Sequence, residues 1–233
     1  MIYYTGDIHG DVTRVLNSIS AVGISADDTI VILGDVGLNY FGNENIEIDR
    51  DRKKKLNYAK IEILCIHGNH EMRPEKIPSY TLREWKGGIV YYEPEFPNLL
   101  FARDGEIYDL DGQKSLVIGG AYSVDKYYRL EHGYKWFSDE QPSEDTKHHI
   151  ERILEWEGWK VDQVLSHTCP KKYIPLEAYI SGIDQSTVDI STEEFLDSIE
   201  DRLHYSEWFC GHWHIDKTID KMHFVMYDYL INT

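Results

Sequence analysis

Ile2-Tyr-Tyr-Thr-Gly-Asp-Ile-His-Gly-Asp11 is the stretch from which the fold can be read. Its β-prone start runs straight into glycine and then into Asp7-x-His9, so a short strand ends in a turn whose first polar groups are a carboxylate and an imidazole. From Asp11 to Val22 the apolar residues fall at Val12, Val15, Leu16 and Ile19, the spacing of one helix face, with Asp11 where an N-cap belongs. Thr29 to Leu33 is the next β-prone run. Strand, helix and strand joined this closely predict a βαβ unit, with parallel strands covered by a helix.

The pattern continues outward. After a Gly/Asn-rich loop from Gly34 to Asn45, a charged helix is expected over about residues 46–60 and a third strand over Ile61 to Ile66. Apolar runs at Ser115 to Ile118, Val161 to Ser166, Trp208 to Cys210 and Met222 to Tyr227 extend an α/β, mostly parallel sheet, and short strands without helices fall between Ile89 and Leu110. Residues 84–158, rich in Tyr, Trp, Glu and Pro, read as mixed β and helix lying partly over one edge, a substrate-facing insertion within one domain spanning 1–233.

Bulk properties narrow the function. Hydrophobic residues make up 42% and charged residues 28% of 233, the balance of an ordinary globular chain. Acidic residues number 41 against 24 basic ones, a formal charge of −17, so long nucleic acid is disfavoured and any anionic substrate must be drawn by local cations. No apolar run reaches the roughly 20 residues of a membrane span, and the start lacks a basic stretch followed by a long apolar one, so the expectation is a cytoplasmic protein without membrane attachment. Cys65, Cys169 and Cys210 form no CxxC pair and are odd in number, which predicts reduced, packed thiols.

Polar clusters stand at the strand ends: Gly6-Asp7-Ile8-His9, Gly34-Asp35, Gly68-Asn69-His70-Glu71, Ser166-His167 and Gly211-His212-Trp213-His214. Carboxyl ends of neighbouring parallel strands open on one crevice, so these groups are expected to face each other. Alone, Asp7-x-His9 reads as a turn before a capped helix, and Gly34-Asp35 carries less still. The Gly-Asn-His-Glu and Gly-His-Trp-His blocks are much rarer, and the ordered set carries the inference. Two carboxylates, an amide oxygen and several imidazoles without a thiolate suit Mn, Fe, Zn or Ni. Two such cations about 3.5 to 4 Å apart can clamp the attacking and leaving oxygens of an in-line displacement at phosphorus.

In these blocks, D-x-H, G-D, G-N-H-E, H and G-H-x-H in order from Asp7 to His214, the chain resembles the calcineurin-like metallophosphoesterases. The resemblance implies a four-layer α/β/β/α sandwich, with central mixed β-sheets and flanking helices. It implies that Asp7, His9 and His214 hold one divalent metal ion, that Asn69, His167 and His212 hold the second, and that Asp35 bridges them. A hydroxide shared by the two ions would attack the ester, and His70, not a ligand, would assist the leaving oxygen.

The phosphoprotein phosphatase branch continues G-D-x-V-D-R-G, where this chain has Gly34-Asp35-Val36-Gly37-Leu38-Asn39. Leu38 and Asn39 thus replace a usual histidine-orienting carboxylate and a phosphate-gripping guanidinium. Arg73, Arg103 and Arg129 are the candidates to grip phosphate in their stead. Tyr122, in the Tyr-rich run from Gly119 to Arg129 with Tyr134 and Trp136 nearby, is a candidate substrate wall; Asn69 could also touch substrate. The expected substrate is a small phosphoester or nucleotide. The alternatives are a phosphoprotein phosphatase and a non-catalytic interaction module built on the same scaffold. Among the histidines outside the blocks, His67 is nearest the expected site.

Overall fold

The structure, a computed structural model, describes residues 1–42 and 46–227 and the backbone of 230–231. Its first half carries β1 (Ile2–Thr5), α1 (Val12–Val22), β2 (Thr29–Ile32), α2 (Ile46–Tyr58), β3 (Glu62–Cys65), β4 (Thr81–Trp85), β5 (Gly88–Tyr92), β6 (Leu99–Ala102), β7 (Ile107–Leu110) and β8 (Gln113–Ile118). Then follow α3 (Lys126–His132), α4 (Glu144–Trp156), β9 (Gln163–Ser166), α5 (Ser191–Glu200), β10 (Glu207–Cys210), β11 (Lys217–Ile219), β12 (Met222–Phe224) and β13 (Leu230–Ile231).

The strands form two mixed sheets, ordered β13-β1-β2-β3-β6-β5-β4 and β11-β12-β10-β9-β8-β7. In each, a parallel centre is edged by antiparallel strands: β1, β2, β3 and β6 in the first, β8, β9, β10 and β12 in the second. Alternation along the central strands assigns each side chain to a layer. Tyr4, Val31, Leu64, Leu100, Val117, Leu165 and Phe209 fill the space between the sheets. Tyr3, Ile30, Ile32, Ile63 and Phe101 point the other way, onto Val12, Val15 and Leu56 of α1 and α2. Leu116, Ile118, Val164 and Trp208 meet Ile150 and Leu154 of α4 and Leu196 and Ile199 of α5. The layers are α/β/β/α, as the resemblance implies.

Helix α1 starts as the sequence predicts: the Asp11 carboxylate accepts from the Arg14 amide at 3.1 Å. It ends at Gly23, which adopts φ 81° and donates to the Ile19 carbonyl.

Two expectations need correction. The strands divide between two sheets, because both faces of each parallel centre must be covered and a second sheet covers one of them. Residues 84–158 are only in part a piece over one edge: β4 and β5 form the outer edge of the first sheet, but β6 pairs with β3 and β8 pairs with β9, so the segment also carries the chain from the first sheet into the second. Within it, the stretch after β8 through α3 to Tyr134 lines the cavities at the strand ends.

Candidate metal centre

The polar groups converge where the two parallel centres end. The loop after β1 is tied to the loop after β2 by His9 N–H donating to the Asp35 carbonyl at 2.8 Å and Gly10 N–H to the Val36 carbonyl at 2.9 Å. Glu71, fully buried, accepts from the Val36, Gly37 and Gly68 amides, fastening the β2 and β3 loops to each other. The approach is tight: a Cβ at Gly34 would lie 2.0 Å from His167 Nδ1, and one at Gly68 would lie 2.0 Å from Asp35 Oδ1. His9, Asp35, His212 and His214 all adopt positive φ, between 45° and 66°, conformations that cost energy for non-glycine residues and are found where function over-determines the backbone.

Two groups of ligand atoms result. Asp7 Oδ2 lies 3.2 Å from His214 Nε2 and 3.9 Å from His9 Nε2, and these two imidazole nitrogens are 3.1 Å apart. One ligand atom from each of Asp7, His9 and His214 falls within 4.8 Å of the others, and the same holds for Asp7, Asp35 and His167. In the second group Asn69 Oδ1 sits 2.8 Å from His167 Nε2 and 3.1 Å from His212 Nδ1. Asp35 stands between the groups, with Oδ2 at 3.8 Å from His9 Nδ1 and Oδ1 at 3.7 Å from His167 Nε2.

The second group fits a cation on its own hydrogen-bond logic. Ser123 Oγ donates to Glu140 Oε2 at 2.5 Å, so it can only accept from Asn69 Nδ2 at 2.9 Å, which aims Asn69 Oδ1 at the two imidazoles. His167 Nδ1 donates to the Leu33 carbonyl at 2.8 Å, which orients the ring with Nε2 facing Asn69 Oδ1. Burial holds the His212 pKa down, to about 3, so that ring is neutral and its Nδ1 faces Asn69 Oδ1 either with its proton or with its lone pair, according to tautomer. Two imidazole nitrogens gathered around an amide oxygen with the Asp35 carboxylate beside them are a donor set for Mn, Fe, Zn or Ni. Burial alone would raise the Asp35 pKa, yet the imidazoles of His70, His167 and His9 hold it well below the usual carboxylate range.

His70 lies beside these groups, with Nε2 at 3.9 Å from Asp35 Oδ2. Arg129 Nη2 reaches 3.2 Å from the same nitrogen, and Arg129 Nε donates to both Asp125 oxygens, at 2.9 and 2.8 Å. Burial, with Arg129 adding to it against Asp35, lowers the His70 pKa. Tyr122 and Arg129 line the cavity over the centre.

Arg73 does not. It is held by Asp104 at 2.8 Å and by the Asp139 carbonyl at 2.9 Å, and with Arg103 and His67 it lines a separate cavity. Two carboxylates, Asp104 and Asp139, draw its guanidinium away from the centre. Leu38 and Asn39 are fully buried outside the site, and Asn39 Oδ1 accepts from the Tyr80 hydroxyl.

Sequence reasoning missed the residues that orient the ligands. Ser123 follows Gly119-Gly-Ala-Tyr, a signal that was there to use; Glu140, Asp125 and the apolar wall of residues 174–190 carry no motif.

Among curated proteins no relative matches. The crystal structure of TT1561 of Thermus thermophilus is similar at 13% identity and a TM-score of 0.49, over 91% of this chain and 80% of that one. The profile of the calcineurin-like phosphoesterases matches residues 1–216, a span that takes in all five strand-end clusters. With the match spanning nearly the whole chain, the chain belongs to the calcineurin-like phosphoesterases.

Proposed function

We propose that the chain hydrolyses a small phosphoester or nucleotide by in-line displacement at a centre of two divalent cations. The observation that carries this reading is the aim of Asn69 Oδ1 at two imidazole nitrogens, fixed from behind by Ser123 and Glu140. Asp7, His9 and His214 would hold one cation, Asn69, His167 and His212 the other, with Asp35 between them. Bound there, the pair would supply Lewis acidity to the phosphoryl oxygens and lower the pKa of water.

The remaining work falls to this chain's own side chains. With Arg129 donating to Nε2, neutral His70 keeps its proton on Nδ1. A phosphoryl oxygen that draws the guanidinium to itself frees the Nε2 lone pair to take a proton from solvent water, and the resulting imidazolium N–H gives that proton to the departing ester oxygen. Arg129, steadied by Asp125, is thus both an anion grip and the partner that sets the His70 tautomer. Leu38 and Asn39, buried away from the centre, offer nothing to a phosphoprotein substrate.

Elemental analysis of the purified protein combined with a panel of phosphoesters tests this. About two divalent ions per chain and turnover of at least one ester are expected, with His70→Ala lowering kcat on the order of 100-fold while metal content stays unchanged. Equal loss of metal and activity in that variant would make His70 a ligand. Full metal occupancy without turnover of any ester would favour an interaction module.

A further inference from the structure

Two cavities, of about 370 and 470 Å³, open from the centre, and they share His9, Asp35, His70, Asp125 and Arg129. Each is within the range that encloses a small organic group. Their walls differ. The larger is lined by Ile174, Tyr179, Ile180, Ile183, Val188 and Trp213, most of them from a segment of short 3-10 turns that holds apolar side chains toward solvent, Ile180 being 58% exposed. The smaller is aromatic, with Tyr40, Phe41, Tyr128 and Tyr134, and Tyr128 and Tyr134 stack at 6.1 Å.

Charge narrows what can sit where they meet. Among the described residues, the arginines and lysines lining the two cavities are Arg52 and Arg129. Asp125 engages Arg129, while Arg52 is committed to the Gly37 carbonyl at 2.9 Å and lies 3.7 Å from Asp49. Against them, outside the groups that would hold the cations, stand Asp125 and Asp189. A phosphate monoester carries about −1.5 to −2 at neutral pH, its second pKa being about 6. A diester carries a single negative charge and has two organic groups to place.

We infer that the substrate is a phosphodiester, with its more apolar ester group on the 174–190 wall and the second group among the tyrosines of the smaller cavity. This rests on the phosphoesterase reading above and deepens it. Burying apolar surface on that wall and a ring on the tyrosines supplies binding energy for both ester groups. A monoester would leave one of the two cavities to water.

The test compares three esters on the metal-loaded full chain: bis(4-nitrophenyl) phosphate, methyl 4-nitrophenyl phosphate and 4-nitrophenyl phosphate. The methyl diester keeps the diester charge and removes one ring, which separates charge from fit. The expected order of kcat/KM is bis-aryl diester, methyl diester, monoester, with at least about tenfold between the ends. Ile180→Asp and Ile183→Asp, on a surface segment, are expected to raise the KM for the bis-aryl diester about tenfold or more while kcat changes little. A monoester turned over as well as the diesters, or a diester KM unmoved by both substitutions, would overturn the inference and leave the phosphoesterase reading standing. Turnover of none of the three by protein holding two cations would remove that reading and the inference with it.

Discussion

Asn69 shows how a ligand is made from an ordinary amide. Its oxygen is aimed by a chain running Glu140, Ser123, Asn69 Nδ2, in which Ser123 donates to Glu140 and accepts from the amide. Ser123→Ala removes the acceptor behind Asn69 and frees the amide to turn its nitrogen toward the imidazoles. Metal affinity measured by calorimetric titration is expected to fall about 10- to 100-fold with thermal stability nearly unchanged; unaltered affinity would mean the amide is held by other means. The five strand-end clusters were legible in the sequence because Gly-Asn-His-Glu and Gly-His-Trp-His are rare and follow their strands at once. Arg73 was misread: it lies three residues beyond His70, but it is Asp104, a partner distant in sequence, that decides where its guanidinium goes. No local signal reports such a pairing.

At the scale of elements, α1 and the first strands were readable because period and caps are local properties. Which sheet a strand joins is not. Between residues 84 and 118 the alternation of β5 to β8 was consistent with an edge insertion, and only pairing with β3 and β9 settles it. The 174–190 wall has no regular period to find. Helix α5 brings a titrating group to this wall. Glu193 is buried, accepts from the Thr168 hydroxyl at 2.8 Å, and has its pKa pushed up from 4.5 to about 7, chiefly by burial. The folded chain therefore keeps a proton that the unfolded chain gives up between pH 4.5 and about 7. In that window the contribution of Glu193 to stability falls as pH rises, by up to ~1.4 kcal/mol per pH unit. Urea unfolding at pH 5 and pH 7 is expected to show a smaller loss in Glu193→Gln than in the wild type, by about 1 to 2 kcal/mol. Equal losses would show that Glu193 keeps its ordinary pKa.

For the whole molecule, the formal charge of −17 sets a repulsive field against any phosphoester. Two divalent cations would offset four of those charges and leave the sign unchanged, so the field remains hostile beyond the centre itself. Raising ionic strength from about 0.01 to 0.15 M shortens the Debye length from about 30 to 8 Å, so kcat/KM for an anionic ester is expected to rise a few-fold. A fall over that range would point to local attraction outweighing the global charge. No described helix is long and apolar enough to cross a membrane. The two sheets bring loops from β1, β2, β3, β9 and β10 to one place, and Asp35 stands between the ligand groups they form. Metal stoichiometry by calorimetric titration of the wild type and of Asp35→Asn tests this most directly. Two divalent cations per chain are expected in the wild type, with both affinities weakened together in Asp35→Asn. One cation or none in the wild type, or two whose affinities are unmoved by the substitution, would contradict a shared dinuclear centre.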